Sequence, residues 1–504
     1  MRSGFLQSFY LFPINMNDSL TTNRQLTGAR HSADVIERLR EHPAEIWHRG
    51  ARVTDVTIDP AFKNGVATLA GLYDYQWTAE DILLETGPQG TMVNRSFGIP
   101  RTPSDLVSLG NALQHSAHYS MGMLGREPAY LNRAISSFSG SAALFGTSDR
   151  AYGANAIRYH DFIRENDLSL THTLLNPRPD RLVGPALQVD AAVATHVCEE
   201  RDDGIVIRGA RLLATLPFAD EIALFPARLM DHSDRSKPYA FGCALPTATP
   251  GLRFVCRDSV DYGFGAADHP LSARFEEMDA VAIFDDVFVP WERVFCYRDI
   301  NICNMAYMAT GATAHMAYQV VCKNIVKTEF LLGLVSLMIE GSGLEKFQHV
   351  HEKMAEVWVN LETLKAFRHA AEAGAYNNAF GMLVPAWDPL DAARNLYPRL
   401  YPRMVEIIQQ LGASGLVSMP ATISLDGPLA ADIRRYYEAA RMDAYDRIAL
   451  YRLAWDTAIS AFGGRQILYE RFFFGDPAQM ASRLFREKDC SEAMNRVKAF
   501  LARS

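Results

Sequence analysis

The sequence predicts an α+β protein in which a helical stretch precedes a strand-rich one and a second helical stretch closes the chain. Two observations predict it. Apolar residues recur at steps of three and four before about residue 160 and after about residue 300, and between them short apolar runs are cut by turn residues. The boundaries that follow are 1–20 as a flexible leader, 21–160 as an N-terminal helical domain, 161–300 as a middle β domain and 301–504 as a C-terminal helical bundle with a tail.

The leader has one early cation, Arg2, and a broken apolar segment from Phe5 to Phe12 without a small-residue cleavage site. It is a flexible extension or lies upstream of a start at Met16. In the first zone Thr102-Pro103-Ser104-Asp105 is a helix start signal ahead of Leu106, Leu109 and Leu113. The middle zone offers Ile205–Ile207 before a turn at Arg208-Gly209, Glu221–Phe225 before Pro226, and Leu252–Cys256. Ala280–Phe284 and Val287–Val289 follow, separated by Asp285-Asp286, and the spacing suggests antiparallel strands. In the last zone Met354, Val357, Leu361 and Leu364 mark one helix face. Val320–Ile339 is apolar nearly all round, as expected of a central helix packed on several sides or at a subunit interface. Ligand clefts are expected where the zones meet.

Composition excludes several partners. Lys plus Arg number 50 against 58 Asp plus Glu, a net charge of −8, so no positive field draws in nucleic acid or an anionic membrane surface. The longest uncharged apolar run, Leu331–Ile339, falls well short of the roughly 20 residues that cross a bilayer. The seven cysteines are odd in number, widely spaced and absent before Cys198, which argues for a reducing compartment and a cytoplasmic location. Neither GxxxxGK[ST] nor GxGxxG occurs, disfavouring ATP hydrolysis and Rossmann-type NAD binding; HExxH and GxSxG are absent too. His115 and His118, at helical i,i+3 spacing, are either a metal pair or a solvated helix face.

The densest polar cluster runs from Arg164 to Arg181 and contains His172, then Arg178-Pro179-Asp180-Arg181. Arginine forks suit a pyrophosphate, while a structural histidine and a surface salt-bridge loop explain the same residues. Asp268-His269 is a site carboxylate and imidazole or a β-turn closed by Asp268.

Four separated stretches carry a likeness: Met123-Leu124-Gly125-Arg126-Glu127-Pro128-Ala129-Tyr130, the His172 segment, Asp268 to Ser272 running on to Phe284–Glu292, and Phe462-Gly463-Gly464-Arg465-Gln466. With them the chain resembles the 4-hydroxyphenylacetate 3-hydroxylase family over about residues 45–500. The resemblance implies an acyl-CoA-dehydrogenase-like fold, with an N-terminal helical domain, a middle antiparallel β-barrel-like domain and a C-terminal four-helix bundle, assembled as a tetramer or dimer. It also implies a two-component flavin monooxygenase. Reduced FAD arrives from a separate reductase, reacts with O2 to give a C4a-hydroperoxyflavin, and one oxygen is inserted ortho to a phenolic hydroxyl.

Carried over by position, Arg126, Tyr130 and His172 hold the phenolic oxygen: His172 as base, Arg126 stabilising the oxyanion and Tyr130 orienting it. His172, Thr173, Leu174, Arg178, Pro179, Asp180 and Arg181 match positions lining FAD; Thr215 is placed to hydrogen-bond the isoalloxazine. Gly463, Gly464, Arg465 and Gln466 approach it closely, or form a helix-breaking turn. One departure bears on the substrate. Where 4-hydroxyphenylacetate hydroxylases grip the substrate carboxylate with two small hydroxyl residues after Phe-Pro, this chain has Ala227-Arg228. Arg228 pairs with an acidic group, or the substrate is another para-substituted phenol, halogenated, nitrated or tyrosine-like. The competing readings are a 4-hydroxybutyryl-CoA dehydratase-like lyase, whose iron–sulfur cluster needs thiolates that the first 197 residues lack, and a non-catalytic flavin-binding scaffold. No metal is implied by the main reading.

Overall fold

The computed structural model describes residues 28–147, 151–180, 182–225 and 230–502, so the leader expected at 1–20 lies outside the described residues. Helices Ser32–Glu41, Lys63–Tyr75, Pro103–His118, Pro128–Gly140 and Tyr152–Glu165 dominate the first part. The Thr102 signal operates as read: Thr102 and Asp105 form a reciprocal capping box with Pro103 in the first turn. Strands Glu45–His48 and Ala51–Val53 leave this part and join the middle sheet.

Two sheets form the middle. The larger has six strands in the order Ala51–Val53, Glu45–His48, Leu252–Cys256, Asp279–Pro290, Gly204–Thr215 and His196–Glu200. The smaller has four: Val294–Tyr297, Phe241–Pro246, Glu221–Leu224 and Leu170–Thr173. They do not close into a barrel. They meet where Leu175 bridges Leu212 and where the Thr173 hydroxyl donates to the Leu212 carbonyl at 2.6 Å. Two pairs depart from the antiparallel expectation, because Glu45–His48 lies parallel to Leu252–Cys256 and Leu170–Thr173 parallel to Glu221–Leu224. Both involve a strand supplied from far away in the chain, which no local turn orients.

Two of the expected turns lie inside strands. Asp285-Asp286 does not separate two strands: Asp279–Pro290 is continuous, and Asp286, at φ 53°, sits in a bulge where the register shifts between Phe284 and Val287. Likewise Arg208-Gly209 lies inside the strand Gly204–Thr215 and faces that bulge, with Arg208 forking to Asp286 at 2.7 Å. A bulge needs the same residue types as a turn but only re-aims the strand.

Helices Ala312–Ser342, Gln348–Ala373, Trp387–Gly412 and Ala444–Ala458 share a second apolar core. The first is the central helix expected from its composition, buried on nearly every side. Lys323 and Lys327, both fully buried on it, share Glu470 at 2.8 and 2.7 Å. Among the described residues no helix is long and apolar enough to cross a membrane.

Candidate active site

His172 is placed by strand alternation. Thr171 and Thr173 turn their hydroxyls onto carbonyls of the strand Gly204–Thr215, at Thr215 and Leu212, so the side chain between them points to the opposite face. Parallel pairing sets His172 beside Ala223, and the imidazole is buried.

Arg126 reaches this face from the connection before helix Pro128–Gly140. That connection is clamped by helix Ala461–Phe472: Gln466 donates to the Met123 carbonyl at 2.8 Å and Tyr469 to the Gly125 carbonyl at 2.7 Å. A side chain at Gly125 would run into the Tyr469 ring, so glycine is required for the approach. The Arg126 amide donates to Glu277 at 2.6 Å. Its guanidinium Nη1 lies 2.6 Å from Nε2 and 3.1 Å from Nδ1 of His172. A guanidinium only donates, so the imidazole accepts with an unprotonated nitrogen. Burial, reinforced by the Arg126 charge, holds His172 well below the ordinary histidine range. Tyr130 stands 5.6 Å from the His172 ring, and burial raises its phenol so that it stays protonated.

The structure therefore brings together Arg126, Tyr130 and His172. It adds Phe473, which the sequence reading missed: its ring lies 4.8 Å from the Arg126 guanidinium and edge-on to Tyr130 at 5.2 Å. The run Phe472-Phe473-Phe474 is the signal, but three adjacent apolar residues at a helix end ordinarily read as core.

A second polar group lies on the other side of Glu277. Arg465 forks onto Asp279 at 2.7 and 2.9 Å and reaches Glu277 at 3.2 Å; Arg257 also pairs with Asp279, at 2.9 Å. Thr215 donates its hydroxyl to Asp279 at 2.8 Å. Two arginines hold the Asp279 carboxyl far below its usual range against the burial that raises it. Gly463 to Gln466 is no helix-breaking turn but the first turn of helix Ala461–Phe472, capped by Ser460. A Cβ on Gly463 would meet the Thr457 carbonyl at 2.5 Å, whereas one on Gly464 meets nothing within 4 Å. Of these two glycines, Gly463 serves helix packing and Gly464 faces open space.

Leu174 continues from the His172 strand, and Asp180 closes a turn by accepting from the Leu182 amide at 2.8 Å, just after Pro179. Arg178 lines a cavity of about 180 Å³ together with Asn176, Arg211 and Met230. Arg181, Ala227 and Arg228 lie outside the described residues. Asp268 and His269 are structural: Asp268 accepts from the Thr422 amide at 2.8 Å, and His269 stacks on Phe264. His115 stacks on Tyr75 and meets His118 edge-on at 6.1 Å between centroids.

An arginine–imidazole–tyrosine cluster thus stands at the junction of a helical layer and a sheet, backed by a second arginine–carboxylate cluster. The chain belongs to the 4-hydroxyphenylacetate 3-hydroxylase family: residues 32–296 match the model of its N-terminal part and 303–502 that of its C-terminal part. The oxygenase component of 4-hydroxyphenylacetate 3-monooxygenase from Thermus thermophilus is 45% identical over 477 residues, covering 94% of this chain and 98% of that one. A crystal structure of such an oxygenase component, complexed with FAD and 4-hydroxyphenylacetate, superimposes with a TM-score of 0.90 at 45% identity, over 94% of this chain and 99% of that one. An archaeal 4-hydroxybutyryl-CoA dehydratase from N. maritimus shares the fold, with a TM-score of 0.85 at 19% identity over 94% of this chain and 95% of that one.

Proposed function

We propose that the chain is the oxygenase component of a two-component monooxygenase. It takes reduced FAD from a separate reductase and uses O2 to place one oxygen ortho to the hydroxyl of a para-substituted phenol, 4-hydroxyphenylacetate or a close relative. The observation that carries this reading is the 2.6 Å contact between Arg126 and a buried, neutral His172, with Tyr130 beside it.

A free phenol ionises near pH 10, and the phenolate ring is the more electron-rich target for an electrophilic oxygen. Arg126 supplies the fixed positive charge that favours the oxyanion. His172 accepts the hydroxyl's hydrogen bond and its proton; because burial and Arg126 disfavour the imidazolium, the proton moves only as the oxyanion forms between them. Tyr130, kept protonated by burial, donates and orients. Phe473 walls the site against water.

On the flavin side Gly464 is exposed and a Cβ there would meet nothing within 4 Å, so its backbone is open to a cofactor. Bound reduced FAD supplies oxygen activation. His172, Thr173, Leu174, Arg178, Pro179, Asp180 and Gly464 would line it, and Thr215 and Arg465 would act through Asp279, which both hold. Helix Ser491–Leu501 buries none of its residues and exposes Met494, Val497, Phe500 and Leu501, which supports assembly of the chain as a homo-oligomer, a dimer or tetramer. A cytoplasmic location belongs to the same reading.

The test is turnover with FAD, a flavin reductase and oxygen. Wild type converts 4-hydroxyphenylacetate to the catechol; His172→Ala consumes oxygen and releases hydrogen peroxide in its place. Unchanged coupling of oxygen to catechol in that variant would remove His172 from the mechanism.

A further inference from the structure

Helix Ile300–Ala309 carries a hydroxyl that the fold leaves uncompleted. The Tyr307 ring packs on Phe225 at 5.6 Å and on Phe138 at 5.5 Å, yet its Oη is buried and meets no hydrogen-bond partner. Nearby, Arg211 is only 1% exposed and spends Nη1 on two carbonyls, Phe225 at 3.1 Å and Leu174 at 3.3 Å. Its Nε has no partner, and among the described residues no carboxylate pairs with it. Burial pulls this guanidinium down to about 10. A buried cation without an anion and a buried hydroxyl without a partner are each costly, and both are resolved by one ligand.

Their position says which part of a ligand that is. Phe225 directly follows the strand that pairs with His172, and Leu174 stands two residues after His172. Asn304, one turn before Tyr307, exchanges two hydrogen bonds with the Met230 backbone, at 2.8 and 2.9 Å. Tyr307 and Arg211 meet at Phe225, whose ring packs on the Tyr307 ring and whose carbonyl accepts from Arg211 Nη1. A phenol's para substituent lies at the far end of the ring from its hydroxyl, so whatever holds a polar tail stands away from Arg126 and His172.

We propose that Tyr307 Oη and Arg211 Nε are specificity-determining groups that hold an acidic para substituent of the phenol. This rests on the phenol hydroxylase reading and deepens it. The two groups replace, from a different helix and strand, a carboxylate grip that the Ala227-Arg228 pair does not supply through hydroxyls. A neutral tail leaves the cation and the hydroxyl unpaired, which is the stronger basis for discrimination.

The experiment compares 4-hydroxyphenylacetate with 4-methylphenol in the full chain with FAD, reductase and oxygen. Tyr307→Phe keeps the ring and deletes only the oxygen. KM for the acid rises about tenfold or more, the size of one hydrogen bond to a charged group, while KM for 4-methylphenol holds within about twofold. Melting temperature is unchanged or higher, because an uncompleted buried hydroxyl has gone. Arg211→Met abolishes the preference for the acid in kcat/KM. Equal changes for both substrates in Tyr307→Phe, or a lower melting temperature with selectivity intact, would overturn the subsite. Wild type that hydroxylates neither phenol would instead sink the function itself.

Discussion

Replacing Arg126 by Gln removes the charge that the proposed chemistry depends on while leaving a neutral polar side chain in its place. The guanidinium's hydrogen bonds go to that imidazole, and its Nε has no partner, so the fold has little to lose. The effect on a bound phenol follows from Coulomb's law. A phenolate oxygen about 4 Å from a unit charge gains about 4 kcal/mol at an effective dielectric of 20. Arg126 is half-buried, and solvent screening reduces this to about 2 kcal/mol. At 1.36 kcal/mol per pKa unit, that is about 1.5 units. The assay is a spectroscopic pH titration of 4-nitrophenol, whose phenolate alone is yellow, bound to the flavin-free chain. Wild type shows a bound pKa below that of the free phenol, and Arg126→Gln raises it by about 1 to 2 units. Identical bound values in the two proteins would refute the assignment of oxyanion stabilisation to Arg126, whatever happened to turnover.

Further outcomes test the scaffold around the site. Glu127 is buried beside Ser120, and burial pushes its carboxyl up to about 8, against the pull of Lys323. The unfolded chain loses this proton near pH 4.5 and the folded chain near 8, so stability falls as pH rises through that window, by at most about 1.36 kcal/mol per unit. Glu127→Gln removes that slope and melts about as wild type at pH 5 but several degrees higher at pH 8; a variant less stable at both would show that the ionised form is used. Gly463→Ala is expected to cost about 1–3 kcal/mol against the Thr457 carbonyl, and Gly464→Ala to leave the melting temperature alone while weakening FAD binding in equilibrium dialysis. Equal FAD affinity in Gly464→Ala and wild type would place the cofactor elsewhere.

The three-part layout was legible because period and composition change together along the chain, and the central helix was legible because only burial on all sides tolerates Val320–Ile339. The Arg126, Tyr130 and His172 set came from motif likeness, and the fold brings them within contact across 46 residues of sequence. What stayed hidden has a common cause. The β-bulge at Asp286 and the Gly209 that faces it use turn residues without turning, so local chemistry points the wrong way until the facing strand is known. Phe473 and Tyr307 act through position, and an aromatic side chain carries no mark in the sequence that separates wall from core.

Charged residues show the limit most sharply. Arg465, which the likeness puts near a cofactor, is paired with Asp279, 186 residues away, and Glu277 ties the same arginine to the backbone of Arg126. Lys323 and Lys327 would each be prohibitive inside an apolar helix, and they are tolerated only because Glu470 arrives from another helix to share them. Glu470 lies one turn beyond Gln466, which holds Met123, and beside Tyr469, which holds Gly125. The glycine-arginine segment and the segment carrying Arg126 are thus parts of one buried polar framework. A likeness at Gly463-Gly464-Arg465-Gln466 is accordingly as much a statement about where Arg126 is held as about what the cofactor touches.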